Sequence, residues 1–212
     1  ASVAAGARRQ DRLEALTDVL PVQADLADVR DIDRLAETVH DQLGRVDLVV
    51  ANAGVMLGAP FEQADVAEWE RMIDVNVRGL LLTGRAFADD LLATAAAGGR
   101  ADLVHVGSIG GHMVFPSYAV YCATKAAVAH LTRVLRAEFG PRGVRVRTIE
   151  PGVVATELGA DMTHPDSIAM LDQLRQMKTL QAADIADAIG FAVSAPAHVN
   201  IAELVVLPTQ QG

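Results

Sequence analysis

The sequence is poor in several residue types. Its 212 residues include one cysteine, two tyrosines and two lysines, and aromatic residues make up only 4% of the chain. With Cys122 alone no intramolecular disulfide is possible, and no secretory signal pattern opens the sequence, so we expect a cytoplasmic protein. Hydrophobic residues nevertheless reach 51%, so the core must be built from Ala, Val, Leu and Ile.

Positive charge and long apolar runs are also scarce, which excludes two classes of partner. Aspartate and glutamate outnumber lysine and arginine by 27 to 18, the net charge is −9, and the longest basic run is Arg8–Arg9. A nucleic-acid-binding protein needs a basic face, so no nucleic-acid partner is expected. The most apolar stretch, residues 46–61, is interrupted by Asp47 and Asn52 well before the roughly 18 residues that a membrane span requires, so no membrane partner is expected.

Short apolar runs alternate with longer amphipathic runs along the whole chain, a pattern typical of repeated strand–helix units around a parallel sheet. The short runs are rich in Val and Leu without polar alternation, as expected for strands covered on both faces. We therefore predict an α/β fold of the Rossmann type, with a doubly wound parallel sheet in a single domain over residues 1–212. The predicted strands are residues 2–7, 19–24, 46–51, 102–107, 144–149 and 204–207, and the predicted helices are residues 28–43, 65–93, 118–139, 167–177 and 183–194.

The glycine-rich turn that nucleotide-binding folds of this type place after their first strand does not occur in the sequence. In the usual strand order, that first strand lies between the strands predicted at residues 2–7 and 46–51. Without it those two strands would lie roughly 9 to 10 Å apart, two interstrand spacings, and could share no ladder of hydrogen bonds. We therefore expect an N-terminal β-α unit of about thirty residues ahead of Ala1, and the pyrophosphate-binding residues stay unassigned.

The strongest functional motif is Tyr121-Cys122-Ala123-Thr124-Lys125, near the start of a predicted helix. Residues four apart lie on one helical face, so the phenol and the ammonium group can enter the same pocket. A phenol is a poor base at neutral pH, but a nearby positive charge lowers its pKa toward the working range. The alternative interpretation is a surface tyrosine beside an incidental lysine.

Ser108 ends a Val-rich predicted strand thirteen residues before Tyr121. Ligands of open α/β sheets bind at the carboxyl ends of the strands. We therefore predict that Ser108 holds a carbonyl or alcohol oxygen in place while Tyr121 gives or takes its proton.

Further motifs occur in order along the chain, and together they resemble those of the short-chain dehydrogenase/reductase family over nearly the entire length. Two positions depart from the family pattern, since Ala51 replaces the first asparagine of an Asn-Asn-Ala-Gly segment and Glu150 precedes Pro-Gly where a smaller polar residue is common. The matching residues are Asn52, Ala53, Gly54, Asn76, Ser108, Tyr121, Lys125, Pro151, Gly152 and Thr156.

The resemblance implies NAD(P)-dependent hydride transfer between the nicotinamide and an alcohol or carbonyl substrate. It implies that Tyr121 is the general acid/base and that Ser108 orients the substrate. It also implies that Lys125 lowers the tyrosine pKa and holds the nicotinamide ribose, and that Asn76 anchors a proton-relay water. The implied cofactor-binding segments are Asn52-Ala53-Gly54 and Pro151-Gly152 with Thr156.

Charge at the end of the strand predicted at residues 2–7 bears on cofactor choice. An acidic residue there would bind ribose hydroxyls and repel a 2′-phosphate, whereas an arginine accommodates that phosphate. The strand ends at Ala7-Arg8-Arg9, so we predict NADP(H), with Arg8 on the phosphate and Arg9 stacking on adenine. A solvated arginine pair at a helix start is the alternative. Asp25 and Leu26 resemble the family's adenine-contacting pair, although Asp25 is equally well explained as a turn residue.

Substrate contacts are expected between Ser108 and Tyr121 and in residues 158–178, which resemble the family's mobile substrate lid. Methionines adapt to irregular apolar shapes, so a partly apolar, medium-sized substrate is expected, although packing alone also explains each of these residues. The predicted contacts are His112, Met113, Phe115, Tyr118 and Met162.

The sequence also indicates a substrate class and bears on whether the protein binds a catalytic metal. Residues 180–210, together with residues 149–152, resemble the clavulanic acid dehydrogenase branch, which points to hydroxy-acid or aldehyde substrates. His112 and His164 lack clustered carboxylate or cysteine partners, so no catalytic metal is predicted.

The two long predicted helices carry more apolar surface than one sheet face can cover, and the resemblance implies a homodimer or homotetramer built through them. A competing hypothesis is a nucleotide-binding sensor or regulatory protein that kept the fold but does no chemistry. The set of Ser108, Tyr121, Lys125 and Asn76 favours the enzyme, because a pure binder has no need of a tunable phenol.

Overall fold

Six parallel strands form two separate sheets in a computed structural model, which describes residues 1–211; the predicted end of the domain, Gly212, lies outside the described residues. The strands confirm the six predicted from the sequence, with ends that differ by one or two residues. In one sheet, β1 (Ala4–Ala7) pairs with β2 (Leu20–Gln23). The other has the order β3-β4-β5-β6, formed by Leu48–Ala51, Ala101–Val106, Val144–Pro151 and Glu203–Val206.

Helices connect the strands, as the alternating pattern predicts. Four of the five predicted helices are present as continuous helices, and one short helix after β1 was not predicted. The helices are α1 (Gln10–Glu14), α2 (Val29–Leu43), α3 (Val66–Ile73), α4 (Leu80–Ala86), α5 (Ala88–Ala96), α6 (Ala119–Phe139), α7 (Pro165–Leu174) and α8 (Ala182–Ser194).

The bounds of α2 follow directly from its sequence. The Asp28 carboxylate accepts a hydrogen bond from the Arg30 backbone N–H and caps the helix, and Gly44 ends it with φ +78°. Its apolar residues Ile32, Leu35, Ala36 and Val39 are buried on one face, whereas Leu43 at its end is exposed. Local hydrogen bonding and apolar spacing are therefore sufficient to define this helix.

The long helix predicted over residues 65–93 is wrong, because the chain forms three helices there. A π-helical turn, Asp74–Gly79, separates α3 from α4, and Phe87 leaves helical geometry between α4 and α5. Gly79 contacts the carbonyl oxygen of Leu26 so closely that no side chain fits at this position. Phe87 is buried in the main core. These contacts come from elements distant in sequence, which a helical periodicity does not reveal.

Helices cover both faces of the larger sheet, as the doubly wound fold requires. On one face of β5, Val146 lies in a core cluster with Leu135 and Phe139 of α6. On the other face, Ile149 packs with Ile185 and Ala192 of α8. The strand is therefore covered on both sides, which explains its unbroken burial from Val144 to Pro151.

Within the described part of the chain, no ladder of hydrogen bonds joins β1 to β3, and the two sheets remain separate. The same residues contain no helix that is both long enough and apolar enough to cross a bilayer.

A buried charge cluster, formed by Asp102, Arg145 and Arg147, ties the start of β4 to β5 and α8. The Asp102 carboxylate accepts bidentate hydrogen bonds from Arg145 at 2.9 and 2.7 Å and a further short one from Arg147. Arg145 also donates to the carbonyl oxygens of Val193 and Ala195, both at 2.8 Å. One carboxylate and the carbonyl end of α8 therefore balance two buried guanidinium groups.

Candidate active site

The segments that carry the predicted catalytic residue Ser108 and the predicted cofactor residues after β3 and β5 lie at one edge of the larger sheet. Strand β3 ends at Ala51, which lies opposite His105 of β4, and Val106 at the end of β4 lies opposite Ile149 of β5. The segments that follow these three strands are therefore neighbours. Parallel strands place their carboxyl ends at a common edge, where open α/β sheets bind ligands.

Tyr121 and Lys125 lie on one buried face of α6, as their spacing predicts. Each residue is only 6% exposed, and the Lys125 Nζ lies 5.9 Å from the centroid of the Tyr121 ring. The same Nζ donates a hydrogen bond of 3.1 Å to the Val106 carbonyl oxygen. The lysine therefore fixes the start of α6 against the end of β4, with the phenol beside it.

Burial is the largest influence on the pKa values of Tyr121 and Lys125. Burial raises the pKa of Tyr121 to about 12, although a hydrogen bond with the Ser108 hydroxyl acts in the opposite direction. Burial also lowers the pKa of Lys125 to about 8. Burial raises the pKa of Tyr121 overall, and the lowering of the tyrosine pKa by Lys125 stays a prediction. At neutral pH the phenol keeps its proton and the ammonium group keeps its charge, so Tyr121 is suited to donate a proton.

Ser108 follows β4 and begins a one-turn 3₁₀ helix, Ile109–Gly111. Its hydroxyl oxygen accepts a hydrogen bond of 3.0 Å from the Gly110 backbone N–H. A Cβ atom on Gly110 would lie 3.2 Å from Tyr121 Cε1 and 3.4 Å from Ser108 Oγ. A side chain at this position would require the ring or the turn to shift by a few tenths of an ångström, so glycine allows the turn that carries Ser108 to pack closely on the Tyr121 ring.

Asn76 lies in the π-helical turn and is fully enclosed. Its Oδ1 accepts from the Val55 N–H at 2.8 Å, while its Nδ2 donates to the Val55 carbonyl at 2.9 Å and to Thr124 Oγ1 at 3.1 Å. The amide therefore ties the segment after β3 to α6, one residue before Lys125. π-helical turns occur frequently at functional sites. The predicted anchoring of a water by Asn76 stays a prediction.

The segment Asn52-Ala53-Gly54 comes close to the Tyr–Lys pair through its glycine. A Cβ atom on Gly54 would lie 3.4 Å from Asn76 Oδ1 and 3.6 Å from Lys125 Nζ. Asn52 is exposed and Ala53 is half-buried. The backbone of this segment is therefore accessible at the same edge as the lysine.

The segment after β5 is held by the C-terminal residues. The Gly152 N–H donates to the Val206 carbonyl at 2.8 Å, and Gln211 Oε1 accepts from the Val153 N–H at 2.9 Å. Pro151 is buried at the end of the strand, whereas Thr156 is exposed. The backbone of this segment is thus fixed up to the start of the predicted lid.

The arginines after β1 make a contact that the sequence did not indicate. Arg9 and Arg12 both form ion pairs with Glu157, at 2.6 and 2.7 Å. The two guanidinium groups lower the pKa of the Glu157 carboxyl. Arg8 is exposed, and its carbonyl accepts a hydrogen bond from Gln23. Arg12 was missed because α1, which places it one turn after Arg8 and Arg9, was not predicted.

Asp25 and Leu26 lie at the carboxyl end of β2. The Asp25 carboxylate accepts from the Ala27 N–H at 3.0 Å, and the Asp25 N–H donates to Asp31 at 2.8 Å. These contacts are typical of a turn residue, which is one of the two interpretations of Asp25 that the sequence left open. Leu26 places its carbonyl against Gly79, so this loop is packed on the π-helical turn.

The predicted substrate residues separate into two groups. Tyr118, Phe115 and Met162 join an apolar cluster that also contains Tyr121. The Tyr118 hydroxyl donates to the Ser167 carbonyl of α7 at 2.6 Å, so the predicted lid, residues 158–178, is docked on this cluster. Met113 is exposed. His112 makes a polar contact instead, since its Nε2 lies 2.6 Å from Glu150 Oε2.

Glu150 was noted in the sequence only as a departure from the family pattern. It is 1% exposed, at the end of β5. The same strand also carries Arg145 and Arg147, so a carboxylate near its end gave no particular sequence signal for this contact. Among residues 1–211, no group of three or more His, Cys, Asp or Glu side chains is arranged to hold a metal ion.

Known proteins resemble the chain in sequence and in structure. A family model described as short chain dehydrogenase matches residues 1–167. Sulfoacetaldehyde reductase 2 of Chromohalobacter salexigens is 37% identical over 96% of this chain and 83% of that protein. A closed form of serine dehydrogenase complexed with NADP+ has a TM-score of 0.90 at 30% identity, covering 100% of this chain and 86% of that one.

An alcohol dehydrogenase from the archaeon Thermococcus sibiricus, complexed with 5-hydroxy-NADP, has a TM-score of 0.85 at 27% identity. The alignment covers 100% of this chain and 87% of that one. Solved structures thus support the doubly wound α/β fold.

Proposed function

Since this chain belongs to the short-chain dehydrogenase family, we propose that it is an NADP(H)-dependent oxidoreductase that interconverts an alcohol and a carbonyl compound. The observation that carries the proposal is the convergence of three groups at one sheet edge, namely the Tyr121 phenol, the Ser108 hydroxyl and the Lys125 ammonium group. Tyr121 is the general acid/base, and in the direction of reduction it donates its proton to the carbonyl oxygen of the substrate.

The side chains support each step of this reaction. Ser108 orients the carbonyl oxygen toward the phenol, because the turn that holds its hydroxyl packs against the Tyr121 ring. Burial keeps the phenol protonated at neutral pH, and the charged Lys125 stabilises the phenolate that proton transfer leaves behind. When bound, NADPH would supply the hydride for the carbonyl carbon of the substrate. Closure of residues 158–178 excludes water from the reacting groups.

The residues at the sheet edge fit a nicotinamide dinucleotide. An ammonium group has three N–H donors, of which Lys125 uses one on the Val106 carbonyl, so it has donors for ribose hydroxyls. Gly54 presents backbone without a side chain at the end of β3, and we retain Pro151, Gly152 and Thr156 as proposed cofactor contacts after β5. At the end of β1, exposed Arg8 supplies the positive charge that a 2′-phosphate requires, and Arg9 lies beside it for adenine stacking. We retain Asp25 and Leu26 as proposed adenine contacts.

Arg8→Ala tests the cofactor assignment. The wild type is expected to prefer NADPH to NADH, and the variant to lose about tenfold to a hundredfold in kcat/KM for NADPH, since a hydrogen bond to a charged group contributes about 1.5–3 kcal/mol. kcat/KM for NADH should change by less than about twofold, because NADH lacks the 2′-phosphate. Steady-state kinetics with both cofactors measures this, with Arg30→Ala, an exposed arginine on α2, as the control. A wild-type preference for NADH would contradict the assignment.

The proposed substrate class is supported by similar proteins as well as by residues of this chain. Sulfoacetaldehyde reductase and serine dehydrogenase support an aldehyde or hydroxy acid, as does the proposed likeness to the clavulanic acid dehydrogenase branch. A panel of aldehydes, ketones and hydroxy acids, followed at the NADPH absorbance band, tests the proposal. A protein that binds NADPH and turns over none of them would instead be the nucleotide-binding sensor.

We also propose a cytoplasmic homodimer or homotetramer, built through the helices over residues 66–96 and α6. Leu81, Ala126 and Ala127 lie exposed on these helices, whereas Leu80 is buried within the chain. Burial of the exposed positions against a second copy would remove this apolar surface from water. Light scattering is expected to report at least twice the monomer mass. A monomer at micromolar concentration would contradict the proposal.

A further inference from the structure

The turn that carries Ser108 ends at a residue bonded to a buried carboxylate. Ser108 begins the 3₁₀ turn and His112 ends it, with the His112 N–H donating to the Ile109 carbonyl at 2.9 Å. The His112 ring then meets Glu150, whose side chain is buried at the end of β5, at 2.6 Å. The far end of the turn is therefore attached to the neighbouring strand through one side-chain contact.

The same carboxylate side chain also contacts the near end of the turn. A Cβ atom on Gly107, the residue before Ser108, would lie 3.1 Å from Glu150 Cγ and 2.9 Å from Thr148 Oγ1. The Gly107 N–H donates to the Ile149 carbonyl at 2.8 Å. Gly107 thus lies directly on the side chains of β5, and Glu150 touches the chain both before and after Ser108.

The position of the Ser108 hydroxyl relative to Tyr121 depends on this turn. The hydroxyl accepts its backbone hydrogen bond from Gly110 inside the turn, and Gly110 is the residue that packs against the Tyr121 ring. A shift of the turn would therefore move the serine oxygen and loosen its contact with the phenol together. Misplacement by about 1 Å in an active site can cost a hundredfold in rate.

We propose that Glu150 and His112 act as a positioning pair, which holds Ser108 in the geometry that the proposed reaction needs. The inference rests on the proposed function of Ser108 and Tyr121. Glu150 Oε1 has no hydrogen-bond partner among residues 1–211, so the bond to His112 is the side-chain hydrogen bond that this carboxylate makes there. A buried carboxylate deprived of its partner is costly, so loss of the imidazole forces Glu150 and the turn above it to rearrange.

Two substitutions at His112 separate positioning from simple packing. His112→Ala removes the hydrogen-bond donor and is expected to lower kcat about tenfold to a hundredfold. The KM for NADPH should stay within about twofold, because the imidazole is bonded to the Glu150 side chain and to none of the side chains proposed to hold the cofactor. His112→Gln keeps an N–H donor for Glu150 and should restore kcat to within about threefold of the wild type.

The chain offers a matched control for these variants. His40 Nε2 lies 2.7 Å from Asp90 Oδ2, the same type of contact, between α2 and α5. His40→Ala should leave kcat unchanged within about twofold, because neither partner lies near Ser108. An equal loss of kcat in His40→Ala and His112→Ala would assign the effect to general destabilisation and overturn the proposal.

A double-mutant cycle tests whether the pair acts through Ser108. In a Ser108→Ala background, which already lacks the hydroxyl, adding His112→Ala should lower kcat by less than about twofold further. A full additional loss of tenfold or more would mean that His112 acts on catalysis independently of Ser108. That result, or an unchanged kcat in the single variant, would overturn the proposal.

Amide hydrogen exchange separates this inference from the proposed function. Exchange in the peptide covering residues 107–115 should be faster in His112→Ala than in the wild type, and unchanged in His112→Gln and His40→Ala. Unchanged exchange in His112→Ala would overturn the positioning pair even if the enzyme is active. A wild type that turns over no substrate, with faster exchange in His112→Ala, would instead overturn the proposed function and leave the structural link intact.

Discussion

Tyr121→Phe is expected to lower kcat by about 10²- to 10⁴-fold, the range over which a positioned acid or base contributes to a reaction. The variant keeps the ring that packs against Gly110 and lies near the Lys125 ammonium group. It removes only the hydroxyl that carries the proton. The dissociation constant for NADPH should therefore change by less than about threefold, because the proposed cofactor contacts of Lys125 remain. Stopped-flow turnover and fluorescence titration with NADPH measure the two quantities.

The second tyrosine of the chain is the natural comparison for this variant. The Tyr118 hydroxyl donates to the Ser167 carbonyl at 2.6 Å and is not bonded to Ser108. Tyr118→Phe should therefore cost about 1 kcal/mol in stability and lower kcat by less than about tenfold, through looser docking of α7. A Tyr121→Phe enzyme that retains more than about a tenth of wild-type kcat would show that another group transfers the proton.

Asp102→Ala is expected to lower the free energy of unfolding by about 3–5 kcal/mol, the cost of breaking a buried ion pair by removing one partner. The carboxylate is bonded to both Arg145 and Arg147, and all three residues are buried. Without it, two guanidinium groups would remain in the interior with only the carbonyl groups at the end of α8 as partners. Burial already lowers the pKa of Arg147, which indicates how unfavourable the charge is there. Urea unfolding measures the difference.

An exposed ion pair of similar length provides the control for Asp102. Asp161 meets Arg71 at 2.6 Å on the surface, and Asp161→Ala should cost less than about 1 kcal/mol, because water screens the pair. A loss below about 1 kcal/mol in Asp102→Ala would mean that the buried arginines find other partners or water. The Asp102 cluster lies at the start of β4 and Ser108 follows its end, so the folded fraction of the variant should retain its kcat.

Features of the fold that depend only on residues close together in the sequence were predictable. The cap and apolar stripe of α2 depend on residues within one or two helical turns, and the spacing of Tyr121 and Lys125 places both on one face of any helix. The long helix over residues 65–93 failed for the opposite reason. Its interruption involves Gly79 against the Leu26 carbonyl and the burial of Phe87, contacts that apolar periodicity does not contain.

The chemistry of the candidate site divides in the same way. A tyrosine and a lysine on one face of a helix, and a serine hydroxyl at the carboxyl end of a strand, were evident without coordinates, because open α/β sheets bind ligands at those strand ends. The raised pKa of Tyr121 was not evident from the sequence. Burial of the phenol raises this pKa, whereas the nearby positive charge in the motif suggested a lower one. Contacts between residues far apart in sequence, such as Arg9 with Glu157, were also missed.

The sequence by itself therefore determined the order of strands and helices, the doubly wound α/β class and the residue types at the site, because these follow from local periodicity and from the scarcity of tyrosine and lysine. The tertiary structure alone decided how buried each site group is and which partner it has. Desolvation and hydrogen bonding between distant segments act only after the chain has folded. For this reason the contact of Glu150 with His112, which supports the Ser108 turn from 38 residues away, became visible only in three dimensions.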